Sequence, residues 1–317
     1  MLREDVAVTT SEHAPAAEPA PAIELRRLGL VVHPKREIDG ALRNARTWAD
    51  ANGAEVVQIR VSGQERVVAD EGEVAACDLV VAVGGDGTTL HALRVASAGG
   101  RPVLGVACGS LGALTAVPSD DVDEALDAIA AGRWLARRLP GLRISGDGFE
   151  RVAINDLVVV RRGPSQVIVA IHVDDQLYVR YAGDGLVVAT PAGSSAYTLA
   201  AGGPVLAERS DGLVLTPLAP HGGCCPPLVV GSQSSVRLLI EPGYAGARLE
   251  FDGQVEETEP TELHAERVED HATLVGLGDS EPLLAGLRRR RILIDSPRVL
   301  ARDERAELRQ PTDVTDR

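Results

Sequence analysis

The stretch Cys77-Asp78-Leu79-Val80-Val81-Ala82-Val83-Gly84-Gly85-Asp86-Gly87-Thr88-Thr89 decides the class of fold. After Asp78 it carries no polar residue until the glycines, the pattern of a strand covered on both faces of a parallel sheet. Thr88 to Ala98 then has helical spacing, so the glycines mark a strand-to-helix turn. Working outward, Leu28-Gly29-Leu30-Val31-Val32, Ala54 to Val61 and Pro102 to Cys108 are further short strands, and Ile38 to Asn52 is a helix ended by Gly53. Ser119 reads as the N-cap of a helix running to about Ala131, with Asp120, Asp121, Asp123 and Glu124 favouring its positive end. This alternation predicts an α/β N-terminal domain with an open, mostly parallel sheet over residues 25–133. From Trp134 helical periodicity fades, and short Val/Leu/Ile segments between Gly, Pro and Asp turns predict an all-β C-terminal domain over 134–284. Residues 1–24 mix Ala, Pro, Glu and Thr without period and read as a disordered arm. Residues 285–317 read as a tail that returns to the first domain or is partly disordered. Arg288-Arg289-Arg290-Arg291 within it forms a solvated rim or an anchor for acidic surface.

Composition narrows the partners. The 317 residues hold 46 Asp+Glu against 32 Lys+Arg, a formal charge of −14, so the net field repels nucleic acid and anionic lipid. Only 2 Trp, 4 Tyr and 2 Phe are present, too few to build stacking platforms for single strands. Trp48 and Trp134 fall on apolar patterns and read as core or interface anchors. Lys35 is the sole lysine, which excludes the P-loop NTPases because their phosphate loop needs a lysine after its second glycine. Cys77, Cys108, Cys224 and Cys225 show no C-x-x-C spacing, and no targeting segment or apolar run of membrane-spanning length appears; a soluble, cytoplasmic protein is expected. The adjacent Cys224-Cys225 reads as structural, with redox or thiophilic chemistry as the alternative.

Three segments can carry chemistry. Gly84, Gly85 and Gly87 around Asp86, with Thr88 following, sit where an open α/β sheet binds ligands, and bare backbone before a helix suits phosphate. Asp86 could hold a phosphate-bridging cation, accept a hydroxyl proton, or merely cap the helix. Asn155-Asp156 interrupts an apolar strand; it is either a bulge or strand end, or a carboxylate and amide that clasp ribose hydroxyls. Asp184-Gly185 leads through a strand to Thr190-Pro191-Ala192-Gly193-Ser194-Ser195-Ala196-Tyr197. There Ser194 could cap a short helix and Tyr197 could lie against a base. His33 and His91 read as structural, with His91 near enough to the glycine turn to touch phosphate.

Taken with Gly202-Gly203-Pro204, Pro220-His221 and Phe251-Asp252-Gly253-Gln254, these blocks resemble, in order over residues 25 to 280, the NAD kinase family. The T-P-x-G-S-x-A-Y segment is the specific part, since G-G-D-G also occurs in lipid kinases of the same superfamily. The resemblance implies the NAD kinase-like two-domain fold and phosphoryl transfer from ATP or polyphosphate, with Mg2+ or another divalent cation, to the adenosine 2′-hydroxyl of NAD. It implies Asp86 as catalytic carboxylate, reaching a metal through bound phosphate, and Gly84, Gly85, Gly87 and Thr88 at the donor. Asn155, Asp156, Asp184, Thr190, Ser195, Ala196, Tyr197 and His221 are implied at NAD, in a homodimer or homotetramer. The chain departs from the family at Ala107, where an Asn is common, at Ala113 in place of a Phe, and after His221, where Gly222 to Pro227 lacks the usual Arg. The alternatives are a dinucleotide-binding paralogue of impaired catalysis and a lipid kinase.

Overall fold

The computed structural model describes residues 18–61, 65–146, 148–256, 261–278, 281 and 283–307. The chain divides into compact units of residues 1–280 and 281–317. In the first, strands Arg27–Val32, Glu55–Gln58, Leu79–Gly84 and Pro102–Ala107 form a parallel layer. Alternation along Leu79–Gly84 sends Leu79, Val81 and Val83 into one core and Val80 and Ala82 into another. Helices Asp39–Asn52 and Val122–Ala130 pack on the first face and Asp86–Ala98 on the second, so every side chain of the strand is dry. The helix Asp39–Asn52 buries Ala41, Leu42, Ala45, Trp48 and Ala49, one stripe at 3.6-residue spacing. Each fully buried Leu, Ile or Val of these cores contributes roughly 1.5–3 kcal/mol.

The β-rich part is two antiparallel layers. One sheet runs Leu228–Val230, Leu213–Leu218, Gly185–Ala189, Asp156–Arg161, Ala247–Phe251, Gln254–Glu256. The other contains Val167–Val173, Gln176–Gly183, Val236–Pro242 and the long strand Glu262–Gly276, and it is the same sheet as the parallel layer. Glu262–Gly276 pairs antiparallel with Leu135–Gly146 and Val236–Pro242, and parallel with Pro102–Ala107 through Thr273↔Pro102 and Leu274↔Val103. The two layers enclose Leu157, Val159, Leu186, Val188, Leu238, Ile240 and Phe251.

Several expectations change. Residues 18–24 are not an arm: Glu18 and Pro19 pair with Ala136 and Leu135, and the Trp134 indole donates to the Pro21 carbonyl at 2.8 Å. A two-residue strand has no period to read, and its partner lies more than a hundred residues away; residues 1–17 lie outside the described ones. Trp48 is buried with its indole donating to Asp127 at 2.6 Å, a core anchor like Trp134. Ser119 is not an N-cap. It begins a 3-10 turn, Ser119–Asp121, whose Ser119 carbonyl accepts from the Asn44 amide at 3.2 Å, and the helix starts at Val122. Residues 281–307 carry helices Leu283–Arg289 and Pro297–Glu307, with Arg288 paired to Asp295 and Arg289 to Glu281. Residues 308–317 of the expected tail lie outside the described ones. No helix among the described residues is long and apolar enough to cross a membrane.

One close approach ties fold to site. A Cβ on Gly105 would lie 2.2 Å from the Leu114 carbonyl oxygen, which is backbone and cannot swing aside. Gly105→Ala is expected to cost about 1–3 kcal/mol by overpacking and to displace the loop through Leu114. Thermal unfolding would show this as a fall of several degrees, and an unchanged midpoint would refute the contact.

Candidate functional site

The glycine turn is built by crowding. A Cβ on Gly84 would stand 2.3 Å from the Thr88 hydroxyl oxygen, so only glycine lets strand Leu79–Gly84 enter the helix Asp86–Ala98 this tightly. Thr88 is largely buried at the wall of the adjoining cavity, whereas Gly87 faces open space. Asp86 does not cap the helix: Gly85 holds the N-cap position without a side-chain bond. Instead its Oδ2 accepts the Ala113 N–H and its Oδ1 the Leu114 N–H, both at 2.9 Å, from the loop beyond strand Pro102–Ala107. Thr115 Oγ1 steadies that loop by accepting the Gly112 N–H at 2.7 Å. The carboxylate is thereby fixed in orientation at a cavity of about 400 Å³, lined by His33, Arg36, Gly85, Gly87 and His91 besides Asp86 itself.

Cationic character at this cavity comes from a residue that sequence reading passed over. Arg36 follows the first strand, its guanidinium donates to the Cys108 carbonyl at 3.3 Å, and it lies 3.8 Å from where a Gly85 Cβ would be. His33 Nδ1 accepts the N–H groups of Lys35 and Arg36, at 3.1 and 3.0 Å, which curls this loop over the cavity. Burial, then the charges of Arg36 and Arg66, lower the His33 pKa and favour its neutral form. A helix N-terminus, an arginine and bare glycine backbone together suit a phosphate chain.

The same helix reaches a second cluster. His91 and Arg94 lie one and two turns beyond Gly87 on one face, lining a further cavity of about 330 Å³ with Gln254 and His271. Gln254 Nε2 is 3.3 Å from His91 Nε2, and Arg94 Nε is 3.8 Å from Asp252. Ile154 and Asn155 turn the chain from strand Phe149–Ala153 into strand Asp156–Arg161, whose first residue is Asp156; Asn155 is half-buried and Asp156 buried. The Thr190 segment folds over it: Thr190 N donates to the Asn155 carbonyl at 2.9 Å, and its hydroxyl donates to the Ile154 carbonyl at 2.7 Å. Thr190 is fully buried and shapes the turn, while Ala196 and Tyr197 are exposed and Ser195 is half-buried. Ser194 caps no helix; its hydroxyl donates to Pro191 O and accepts the Leu206 N–H.

Asp184 and His221 stand elsewhere. Strand Gly185–Ala189 separates Asp184 from Thr190, roughly 20 Å at 3.4 Å per residue. Asp184 is paired with Arg161 at 2.5 Å, and the exposed His221 contacts Gln166 at 3.2 Å. The fold thus gathers Asp86, Asn155, Asp156 and the Thr190 segment on elements in mutual contact, and leaves Asp184 and His221 at the far end of the smaller sheet. All four cysteines are free; Cys77 is buried, Cys224 exposed.

By sequence Asp252 stands only within the family block Phe251 to Gln254 and without a role of its own; its φ of 51° beside 75° at Gly253 makes the backbone a hairpin turn. Its side chain nevertheless points inward, beside Asp156. Burial, then the charges of Asp252 and Glu250, push the Asp156 pKa up to about 7. Burial also raises the Asp252 pKa, opposed by three backbone N–H bonds and Arg94. Asp252, better supplied with donors, is the ionised member near neutrality. Below about pH 4 Asp156 is protonated folded or unfolded; between 4 and 7 only the unfolded chain releases the proton, so stability falls as pH rises through that window. Asp156→Asn is therefore expected to match wild type near pH 4 and to exceed it by up to about 4 kcal/mol at pH 8. Unfolding midpoints at the two pH values check this; a difference independent of pH would contradict it.

Residues 24–134 match the ATP-NAD kinase N-terminal domain and residues 154–269 the ATP-NAD kinase C-terminal domain. An NAD kinase of Heliobacterium modesticaldum is 40% identical over 183 residues, 56% of this chain and 65% of that protein, so the match spans slightly less than two thirds of that relative. An NAD kinase of Desulforamulus reducens is 32% identical over 242 residues, 73% of this chain and 84% of that one. Among solved structures, an Archaeoglobus fulgidus NAD kinase in complex with ATP superposes with a TM-score of 0.66 at 25% identity, covering 83% of this chain and 98% of the other. Yeast NADH kinase complexed with NADH gives 0.72 at 20% identity over 86% and 89%, a likeness of fold. With both domains matched in order around the glycine turn and the Asn155 turn, the chain belongs to the NAD kinase family.

Proposed function

We propose that this chain transfers the terminal phosphoryl group of ATP to the adenosine 2′-hydroxyl of NAD, giving NADP and ADP. The observation that carries the reading is the position of Asp86: a carboxylate held by two peptide N–H groups at a helix start, in a cavity with Arg36, on a helix that touches the Asp252 hairpin beside the Asn155 turn. The family membership and the ATP complex of the Archaeoglobus relative support the donor.

In this reading the ATP phosphates lie at Gly85 and Gly87, with Arg36 neutralising oxygen charge. Asn155 and Asp156 take the adenosine ribose, inside the wall made by Thr190 to Tyr197. The 2′-oxygen forms a bond to the γ-phosphorus while the bond to the β–γ bridging oxygen breaks, and ADP leaves. The transition state is loose, so the protein supplies position and charge neutralisation rather than a strong base. Asp86 orients the hydroxyl and receives its proton late, as suits a weak base. Among the described residues no cluster of three or more His, Cys, Asp or Glu suited to a metal is present. A divalent cation therefore fits as a companion of the phosphates with Asp86 as its carboxylate, and would supply further charge neutralisation. Polyphosphate as an alternative donor, a homodimer or homotetramer and a cytoplasmic setting belong to the same proposal.

An assay of NADP formation from NAD with ATP or polyphosphate and Mg2+ tests the reading, and absence of NADP under every donor would refute it. Asp86→Asn is expected to lower kcat at least about a hundredfold with little change in KM for NAD, and with the fold retained at some cost in stability, because an amide accepts only one of the Ala113 and Leu114 N–H groups. Arg36→Ala is expected to raise KM for ATP about tenfold, the loss of one charge-assisted contact.

A further inference from the structure

We propose that Asp252 is a positioning residue: its carboxylate holds the Asn155-Asp156 turn in the geometry that receives the acceptor sugar and joins that turn to the helix of Asp86. This rests on the acceptor reading of Asn155 and Asp156 above. The side chain of Asp252 has no solvent exposure. Its Oδ1 accepts the N–H groups of Ile154, Asn155 and Asp156 at 3.2, 2.7 and 3.3 Å, and its Oδ2 accepts Ile154 again at 3.0 Å. In return the Asp252 N–H donates to the Asp156 carbonyl at 3.0 Å. Three consecutive peptide N–H groups converging on one carboxylate fix the backbone of the turn, and with it the directions in which Asn155 and Asp156 leave the chain.

The hairpin also faces the other way. Arg94 lies 3.8 Å from Asp252, and Gln254, two residues on, reaches His91; both partners ride on the helix whose first residue is Asp86. A hairpin turn alone does not require this carboxylate, because Asn serves at least as well at the first position of such a turn. What Asn cannot do is accept through both side-chain atoms: its amide would set an N–H against Ile154 N–H and the Arg94 guanidinium.

The test uses the full chain and two variants, Asp252→Asn, which keeps the turn preference, and Asp252→Ala, which removes every acceptor. Hydrogen exchange at the amides of Ile154, Asn155 and Asp156 is measured beside calorimetric affinities for NAD and for ATP. The expected result in Asp252→Asn is exchange at those amides at least tenfold faster and NAD bound at least tenfold more weakly, with ATP affinity within twofold of wild type; Asp252→Ala is expected to show larger changes in the same sense. Wild-type exchange and NAD affinity in Asp252→Asn would overturn the proposal, and so would faster exchange with unaltered NAD affinity, since the turn would then not frame the acceptor. If Asp252→Ala does not fold, Asp252→Asn decides alone. Should wild-type protein bind no NAD, the functional reading fails by itself, while exchange still shows whether Asp252 holds the turn.

Discussion

Everything that brings the site together depends on one piece of strand pairing. Glu262–Gly276 spends most of its length among antiparallel neighbours, yet its end at Thr273 and Leu274 lies parallel to Pro102 and Val103. This contact extends the parallel layer into the β-rich part without an intervening edge, and an unpaired edge there would leave a row of backbone donors and acceptors without partners. The helix Asp86–Ala98 packs beneath the join, with Leu90, Ala92, Leu93 and Ala96 in a core shared with Leu139, Ile154, Ala272 and Leu274. The glycine turn and the Asn155 turn thus border one hydrophobic cluster shared by the two domains.

The carboxylates at this junction are handled by one device. Asp86 and Asp252 each accept peptide N–H groups from a loop distant in sequence, the first from Ala113 and Leu114, the second from Ile154 to Asp156. Charge-assisted bonds of this kind hold a buried or half-buried carboxylate in one orientation while satisfying the loop N–H groups that converge on it. They also explain how an acidic chain can present a site for phosphates. The chain carries a net charge of −14, yet the glycine turn faces Arg36 and a helix N-terminus, and its Asp86 carboxylate accepts two peptide N–H groups.

The residues passed over show why sequence reading stops where it does. Arg36 lies in a polar loop with no spacing to mark it; the pairing of strand Arg27–Val32 beside Leu79–Gly84 puts its guanidinium at the glycine turn, where the Cys108 carbonyl accepts from it. Asp252 is legible only as part of the family block Phe251 to Gln254, and nothing local says that its side chain turns inward. Ser119 and Ser194 have the composition of helix caps, yet tertiary contacts with Asn44 and Leu206 claim their neighbourhoods first. Residues 18–24 look like solvent-facing chain because their partners, Trp134 to Ala136, are remote.

What the sequence determined by itself is whatever repeats or crowds locally: the doubly covered strand before Gly84, the stripe of Ala41, Leu42, Ala45 and Trp48, the glycine forced by Thr88, and the ordered blocks that mark the family. Period and sterics act over a few residues, so they survive in the linear string. Only the tertiary structure decided that Asn155, Asp156, Thr190 and Asp252 share one cluster while Asp184 and His221 stand at the other end of strand Gly185–Ala189. Strand register sets those neighbourhoods, and register is fixed by burial of both faces across chain separations of up to about a hundred and seventy residues, which no local pattern encodes.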